Sequence, residues 1–312
     1  MKSGKPVPSI SIGTVFLRAP LVIASGTWPH QQEFWKGAVT EGIGAICTKA
    51  LTLHPRSGNP GIRLWETPCG LLNSIGLQNP GIASFLEEDL PGICAGDVKV
   101  IANVAMETEL ETVQVLETLA EKDRGLAAVE LNISCPNVDR GGMAWGSEPL
   151  QAARAVKAAR AAWGGPLWVK LTPHCTDIAS VAKASEEAGA DALVVANTWL
   201  GMAIDTNTES PVFSRIVAGL SGPAVFPLSL RLVWEASSAV KIPVVGCGGV
   251  SSSEDAVAMM FAGASAVEIG TAHFADLACP GRVTKGILDH LSAKGYASPM
   301  ELVGRGKRSG AG

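Results

Sequence analysis

The sequence predicts an α/β protein closed as a (β/α)8 TIM barrel, and three observations carry that prediction. Eight apolar runs recur at 21–25, 44–48, 98–103, 127–132, 167–171, 192–197, 242–246 and 266–270. They are continuously apolar rather than alternating, as strands covered on both faces must be. Amphipathic stretches at 107–122, 149–163, 177–188, 228–240 and 253–262 lie between the later runs, the alternation expected of repeated βα units. Eight strands are the number a closed barrel needs. A doubly wound open sheet is the alternative, since one strand miscounted would open the ring.

Taken in order, residues 9–17 alternate around Ile12 and Gly13 and are read as a small hairpin covering the barrel bottom. The runs then follow with helical connections, except at two excursions, 51–96 and 198–241, that are too long for simple turns. Barrel active sites lie on the loops after the strands, so long loops after strands two, four and six are expected to form lids and substrate walls. With barrels of ~250 residues routinely forming one domain, the 312 residues are expected to be a single domain, 1–312. The Gly-rich stretch 304–312 with Arg305, Lys307 and Arg308 is expected to be a disordered tail.

Composition narrows the function classes. At 47% hydrophobic and 17% charged the chain is no disordered segment, and a net charge of -4 argues against a nucleic-acid binder. No run of ~18 apolar residues is present, and no signal peptide is read at the N-terminus. Seven cysteines form no CxxC, which argues against a disulfide framework, a zinc site or an iron–sulfur site within the chain. The expected compartment is the reducing cytoplasm.

The chemistry gathers where the apolar runs stop. The strand ends carry Ser25, Lys49, Asn103, Asn132, Lys170, Asn197 with Thr198, Gly248 with Gly249, and Gly270 with Thr271. One polar strand end is ordinary, but eight together point to a polar ligand at the top of a barrel. Gly-rich turns after strands seven and eight are where barrels cradle phosphate with backbone N–H groups. Lys170 closes the run Leu-Trp-Val-Lys, and a buried ammonium needs a counter-charge. A flavin that becomes negative at its pyrimidine edge on reduction is the expected source. Cys135 sits in a loop between Asn132 and Asn137, where a thiol can serve as general base if its surroundings favour thiolate. The other six cysteines are expected to be small buried hydrophobes.

These segments resemble the dihydroorotate dehydrogenases, in particular the class 1 B-type catalytic subunit, from about residue 21 to 274. The matching pieces are 24–27 (Ala-Ser-Gly-Thr), Thr48-Lys49, 52–56 and 58–60, 72–81 (Leu-Asn-Ser-Ile-Gly-Leu-Gln-Asn-Pro-Gly), 132–138 (Asn-Ile-Ser-Cys-Pro-Asn-Val), Asn197-Thr198, 201–205, 219–224, 246–249, 262–267 and Gly270-Thr271. The sequence departs from the family pattern at Ser74, Trp145, Val217-Ala218 and Glu209.

The resemblance implies oxidation of (S)-dihydroorotate to orotate in pyrimidine biosynthesis, with FMN taking hydride from C6. Cys135 would take the proton from C5. Asn73, Gly76, Leu77, Asn132, Asn197 and Thr198 would hold the substrate, and Lys49 would touch both substrate and flavin. Ser25, Ala50, Asn103, Asn132, Lys170, Ala196 and Gly222 would hold the flavin and ribityl chain, with Gly248, Gly249, Gly270 and Thr271 on the phosphate. No metal is expected. The resemblance further implies a heterotetramer with an electron-transfer subunit that carries FAD and [2Fe-2S] and reduces NAD. The alternatives are a related FMN barrel oxidoreductase acting on another dihydropyrimidine, and a non-redox phosphate-binding barrel.

Overall fold

The computed structural model describes residues 8–29, 40–94, 97–122, 125–134, 136–137 and 143–308. Eight parallel strands close into a barrel in chain order: Leu21–Ile23, Ala45–Cys47, Lys99–Ala105, Ala128–Asn132, Leu167–Lys170, Ala192–Val195, Val244–Cys247 and Ala266–Ile269. Each falls within or overlaps one of the eight apolar runs, and the last pairs back onto the first through Val267 with Leu21 and Ile269 with Ile23. The open sheet is therefore excluded.

Helices Glu109–Glu121, Pro149–Ala162, Ile178–Glu187, Phe226–Ala239, Ser253–Phe261 and Cys279–Lys294 cover strands three to eight. Their starts are locally encoded. Thr108 accepts from the Glu111 N–H, Asp177 from Ala179 and Ser180, and Ser252 forms a capping box with Asp255. Each such cap is worth about 1 kcal/mol. The first of these helices buries Thr112, Val115, Leu116 and Leu119, the i, i+3, i+4, i+7 spacing of one helical face.

Inside the barrel, residues two apart on a strand share a face, so odd and even strands contribute alternating layers. Lowest are Ala45, Ala128, Ala192 and Ala266, followed by Val22, Ile101, Trp168 and Val245. Above them lie Cys47, Glu130, Val194 and Glu268, and then Ala24, Asn103, Lys170 and Cys247. The hairpin Ile10–Ile12 and Val15–Leu17 buries Ile10, Ile12, Val15 and Leu17 in the same cluster as this interior and closes the bottom, as expected.

The two long excursions meet. Strands Leu64–Thr67 and Gly70–Asn73 from the loop after strand two join Val217–Ser221 and Trp199–Met202 from the loop after strand six in one four-stranded antiparallel sheet. This sheet lies beside the barrel mouth.

The end of the chain differs from expectation. Arg305–Arg308 is helical, Lys307 Nζ donates to Ser237 Oγ and Ser238 Oγ at 2.8 and 2.9 Å, and the Arg305 guanidinium stacks over Tyr296 at 4.4 Å. Lys307 and Arg305, expected in a disordered tail, have hydroxyl and aromatic partners; 309–312 lie outside the described residues.

Candidate active site

A cleft of about 1420 Å³ opens at the C-terminal ends of the strands, between the barrel mouth and the four-stranded sheet. Lys49, Asn132, Ala196 and Gly270 line it for a common reason. Each stands two residues beyond the inward-facing Cys47, Glu130, Val194 or Glu268 and keeps that parity. Ser25, Ala50, Asn73, Gly76, Leu77, Lys170, Asn197, Thr198, Gly222, Gly248, Gly249 and Thr271 also line it. Asn103 is the exception among the predicted residues that the structure describes. It is fully buried beneath the cleft wall, with its amide donating to Glu130 Oε1 at 2.5 Å and its Oδ1 without a partner. Cys135 lies outside the described residues.

One end of the cleft is rich in amides. Asn132 Oδ1 accepts from Ser134 Oγ at 2.5 Å and from Asn197 Nδ2 at 3.4 Å, and Asn197 also donates to Ser134 Oγ. Asn73 Nδ2 donates to the Gly219 carbonyl at 3.1 Å, tying the two long loops together over the cleft. A Cβ at Gly219 would stand 2.4 Å from Thr198 Oγ1 and 3.1 Å from Asn73 Nδ2, so this glycine makes room for both side chains. His174 accepts the Leu200 N–H at 3.0 Å and packs edge-on against Trp199; burial lowers its pKa and favours the neutral ring that this acceptor role needs.

The other end is built from glycine turns. Gly248 and Gly249 have φ of 122° and 79°, and a Cβ at Gly249 would stand 2.6 Å from the Phe226 backbone N. Only glycine fits there without strain. Thr271 Oγ1 donates to Ser221 Oγ at 2.7 Å, joining the end of strand eight to the sheet.

The floor holds charges that the sequence reading did not single out. Lys170 Nζ is 2.6 Å from Glu268 Oε2 and 3.7 Å from Glu130 Oε1, and all three side chains are almost fully buried. The counter-charge assigned above to a flavin is therefore already present in the protein. Burial opposes the Lys170 charge, but the neighbouring carboxylates of Glu130 and Glu268 outweigh it and hold the ammonium well above its ordinary range. Burial, then the charge of Glu130, pushes Glu268 up to about 8 against the pull of Lys170. Burial likewise raises both Cys47 and Cys247, so both remain thiols; Cys47 Sγ lies 3.4 Å from Glu130 Oε1. Two signals were available in the sequence: a lone Glu inside each of the apolar runs 127–132 and 266–270, at inward parity. The expectation of six buried cysteines fails at Cys69, which is exposed, and at the half-buried Cys94 and Cys175.

Ser74, one of the departures from the family pattern, accepts from Asn59 Nδ2 at 3.0 Å, and Trp145 is buried with its Nε1 donating to the Glu107 carbonyl. Both are absorbed by local hydrogen bonds.

The family model described as dihydroorotate dehydrogenase matches residues 9–291. The chain belongs to the dihydroorotate dehydrogenase family. It is 45% identical over 296 residues, 95% of this chain and 97% of the relative, to dihydroorotate dehydrogenase B (NAD(+)), catalytic subunit, of Bacteroides thetaiotaomicron. The proteins of the same name from Trichlorobacter lovleyi and Thermoanaerobacter pseudethanolicus are 45% and 44% identical over 300 and 295 residues, covering 96% and 95% of this chain and 98% and 97% of theirs. Membership of this oxidoreductase family removes the non-redox phosphate-binding barrel as a reading. Among the described residues, no helix is long and apolar enough to cross a membrane.

Proposed function

We propose that this chain oxidises (S)-dihydroorotate to orotate in pyrimidine biosynthesis, with FMN in the cleft and with electrons passing to NAD through a partner subunit carrying FAD and [2Fe-2S]. The observation that carries the reading is the two-ended cleft. Its 1420 Å³ exceeds the ~300–1,000 Å³ of an ordinary single-ligand pocket. It has room for a nucleotide with its phosphate on the glycine turns and for a small amide-bearing ring under Asn73, Asn132, Asn197 and Thr198.

The residues present fit FMN. The glycine pair offers backbone N–H groups without side chains, Thr271 adds a hydroxyl, and the partnerless Oδ1 of Asn103 sits behind the wall. Ser25, Ala50, Lys170, Ala196 and Gly222 would hold the ring and ribityl chain, with Asn103 behind them; Gly248, Gly249, Gly270 and Thr271 would hold the phosphate. FMN supplies a hydride acceptor. Cys135 would take the proton from substrate C5, Asn73, Asn132, Asn197 and Thr198 would hold the ring amides, Gly76 and Leu77 would hold the carboxylate, and Lys49 would contact both ligands. A partner subunit is supported by the lack of a second redox motif in this sequence and by large apolar side chains exposed on the sheet and its connections, among them Leu64, Leu200, Met202 and Val217. The cytoplasm is supported by free thiols at all six described cysteines.

The purified chain is expected to be yellow, to bleach on anaerobic addition of dihydroorotate, and to reduce dyes but not NAD until the partner is added. A colourless chain, or a coloured one that dihydroorotate leaves unchanged, overturns the reading. Efficient NAD reduction by the chain alone overturns the electron route.

The phosphate position has its own test. A Cβ at Gly270 meets only Ala24 Cβ and Thr27 Cγ2, both at 3.5 Å, which is ordinary van der Waals contact. Gly270→Asp therefore brings a carboxylate to the turn without a steric clash, unlike a change at Gly249, where a Cβ would stand 2.6 Å from the Phe226 backbone. Loss of FMN affinity by tenfold or more is expected from flavin fluorescence titration, with the melting temperature of the flavin-free chain little changed. Undiminished affinity would remove the phosphate from this turn.

A further inference from the structure

We propose that Glu130 and Glu268 are positioning residues that share one proton between them and hold the Lys170 ammonium at the floor of the cleft. The inference rests on the FMN reading for what Lys170 faces, but the proton sharing stands on this chain alone.

The argument begins with charge. The two upper interior layers together hold one cation and two carboxyls, all buried. Fully ionised, this cluster would carry an excess negative charge in a dry interior, which is costly. One proton on the carboxyl pair makes the cluster neutral. The hydrogen bonds leave two carboxyl oxygens open to it. Glu268 Oε2 is taken by Lys170, and Glu130 Oε1 by Asn103, Cys47 and the more distant Lys170. The remaining oxygens, Glu130 Oε2 and Glu268 Oε1, are buried and have no donor. A proton between the two carboxyls satisfies both oxygens at once, and the raised Glu268 value, with a hydrogen bond to Glu130 among its causes, agrees. The titratable groups facing this pair are Lys170 from strand five, Cys47 from strand two and Cys247 from strand seven.

The consequence for the cleft is a fixed cation. Lys170 lines it, and its ammonium is held from below rather than from the ligand side. A fixed positive charge favours an electron-rich ligand edge, and so favours reduced over oxidised FMN. The proton sharing predicts an unusual pattern. Losing either carboxyl leaves one anion beside one cation, because the remaining acid releases the proton. Losing both leaves the ammonium alone, and burial then drives it toward the neutral amine.

Glu130→Gln, Glu268→Gln and the double variant separate the cases. The ratio of affinities for reduced and oxidised FMN, from the potential of the bound flavin, should change by less than about threefold in each single variant. It should fall by tenfold or more in the double variant. A single variant as damaged as the double overturns the shared proton, and a silent double variant overturns the positioning of Lys170.

The flavin-free full chain gives a second measurement that needs no double variant. Glu268 is raised to about 8 when folded. The folded state therefore binds the extra proton between the ordinary carboxyl range and pH 8, and stability falls as pH rises through that window. Glu268→Gln should abolish this fall, and difference infrared spectra should lose the carbonyl band of a protonated carboxylic acid. A wild-type chain with neither the fall nor the band overturns the proposal even where FMN binds normally. A chain that shows both but binds no FMN overturns the functional reading instead.

Discussion

Cys135→Ala is expected to slow anaerobic reduction of bound flavin by dihydroorotate by ~10²–10⁴ near neutral pH, the range a positioned general base contributes. The substitution removes the proposed acceptor of the C5 proton while leaving the residues of the cleft described above unchanged. FMN and orotate should therefore bind the variant much as they bind the parent, which separates a lost base from a lost site. Cys135→Ser should also be slow, because a hydroxyl releases its proton far less readily than a thiol unless a base stands beside it. Raising the pH should help the parent more than either variant, since only the parent has a thiol to ionise there. Stopped-flow absorbance reads the rate directly. Near-parental reduction by the alanine variant would take Cys135 out of this role.

Lys170→Met is expected to destabilise the flavin-free chain by about 3–5 kcal/mol, the cost of removing one partner from a buried ion cluster. The methionine fills most of the space, so the loss is electrostatic rather than a cavity. Glu130 and Glu268 then face each other with no cation, and each must take up a proton to stay buried. The folded variant binds these protons at pH values where the unfolded chain has released them, so it loses stability as pH rises above the ordinary carboxyl range. The parent keeps one of the two carboxyls ionised against Lys170 and loses less. Urea unfolding at pH 5.5 and 8 should show the gap between parent and variant widening at the higher pH. A gap below about 1 kcal/mol, or one that narrows, would mean that the ammonium is not the counter-charge of the two acids.

How far the sequence carried the reading depends on the range of the interaction. The barrel strands were legible because each is a local, continuous apolar run, and the helices because their caps and apolar spacing lie within a few residues. Lys49, Asn132, Lys170 and Gly270 were legible because a residue that ends a barrel strand is carried to the mouth whatever the rest of the chain does. What pairs with what across the barrel was not legible. Lys170 meets Glu268 across 98 residues, and an isolated Lys at a strand end gives no sign of which distant acid will face it. The roof sheet was missed for the same reason: Asn73 reaches Gly219 across 146 residues, and each strand alone reads as irregular loop. The tail was misread because Lys307 looks solvated until Ser237 and Ser238 are brought beside it.

The alternating parity of the barrel interior bears on how such a chain can change over time. Substitutions at the mouth alter one side chain each and leave the frame untouched. A single-residue insertion or deletion within a strand exchanges its two faces beyond that point. In the fifth strand it would turn Lys170 toward the helices and bring Val169 or Leu171 inward beside Glu130 and Glu268, leaving both acids without a cation. Length variation among descendants of this chain should therefore be confined to the excursions after strands two, four and six, while the strands change only by replacement. A library of one-codon insertions selected for growth without pyrimidines would display that division as bare intervals over the eight strands.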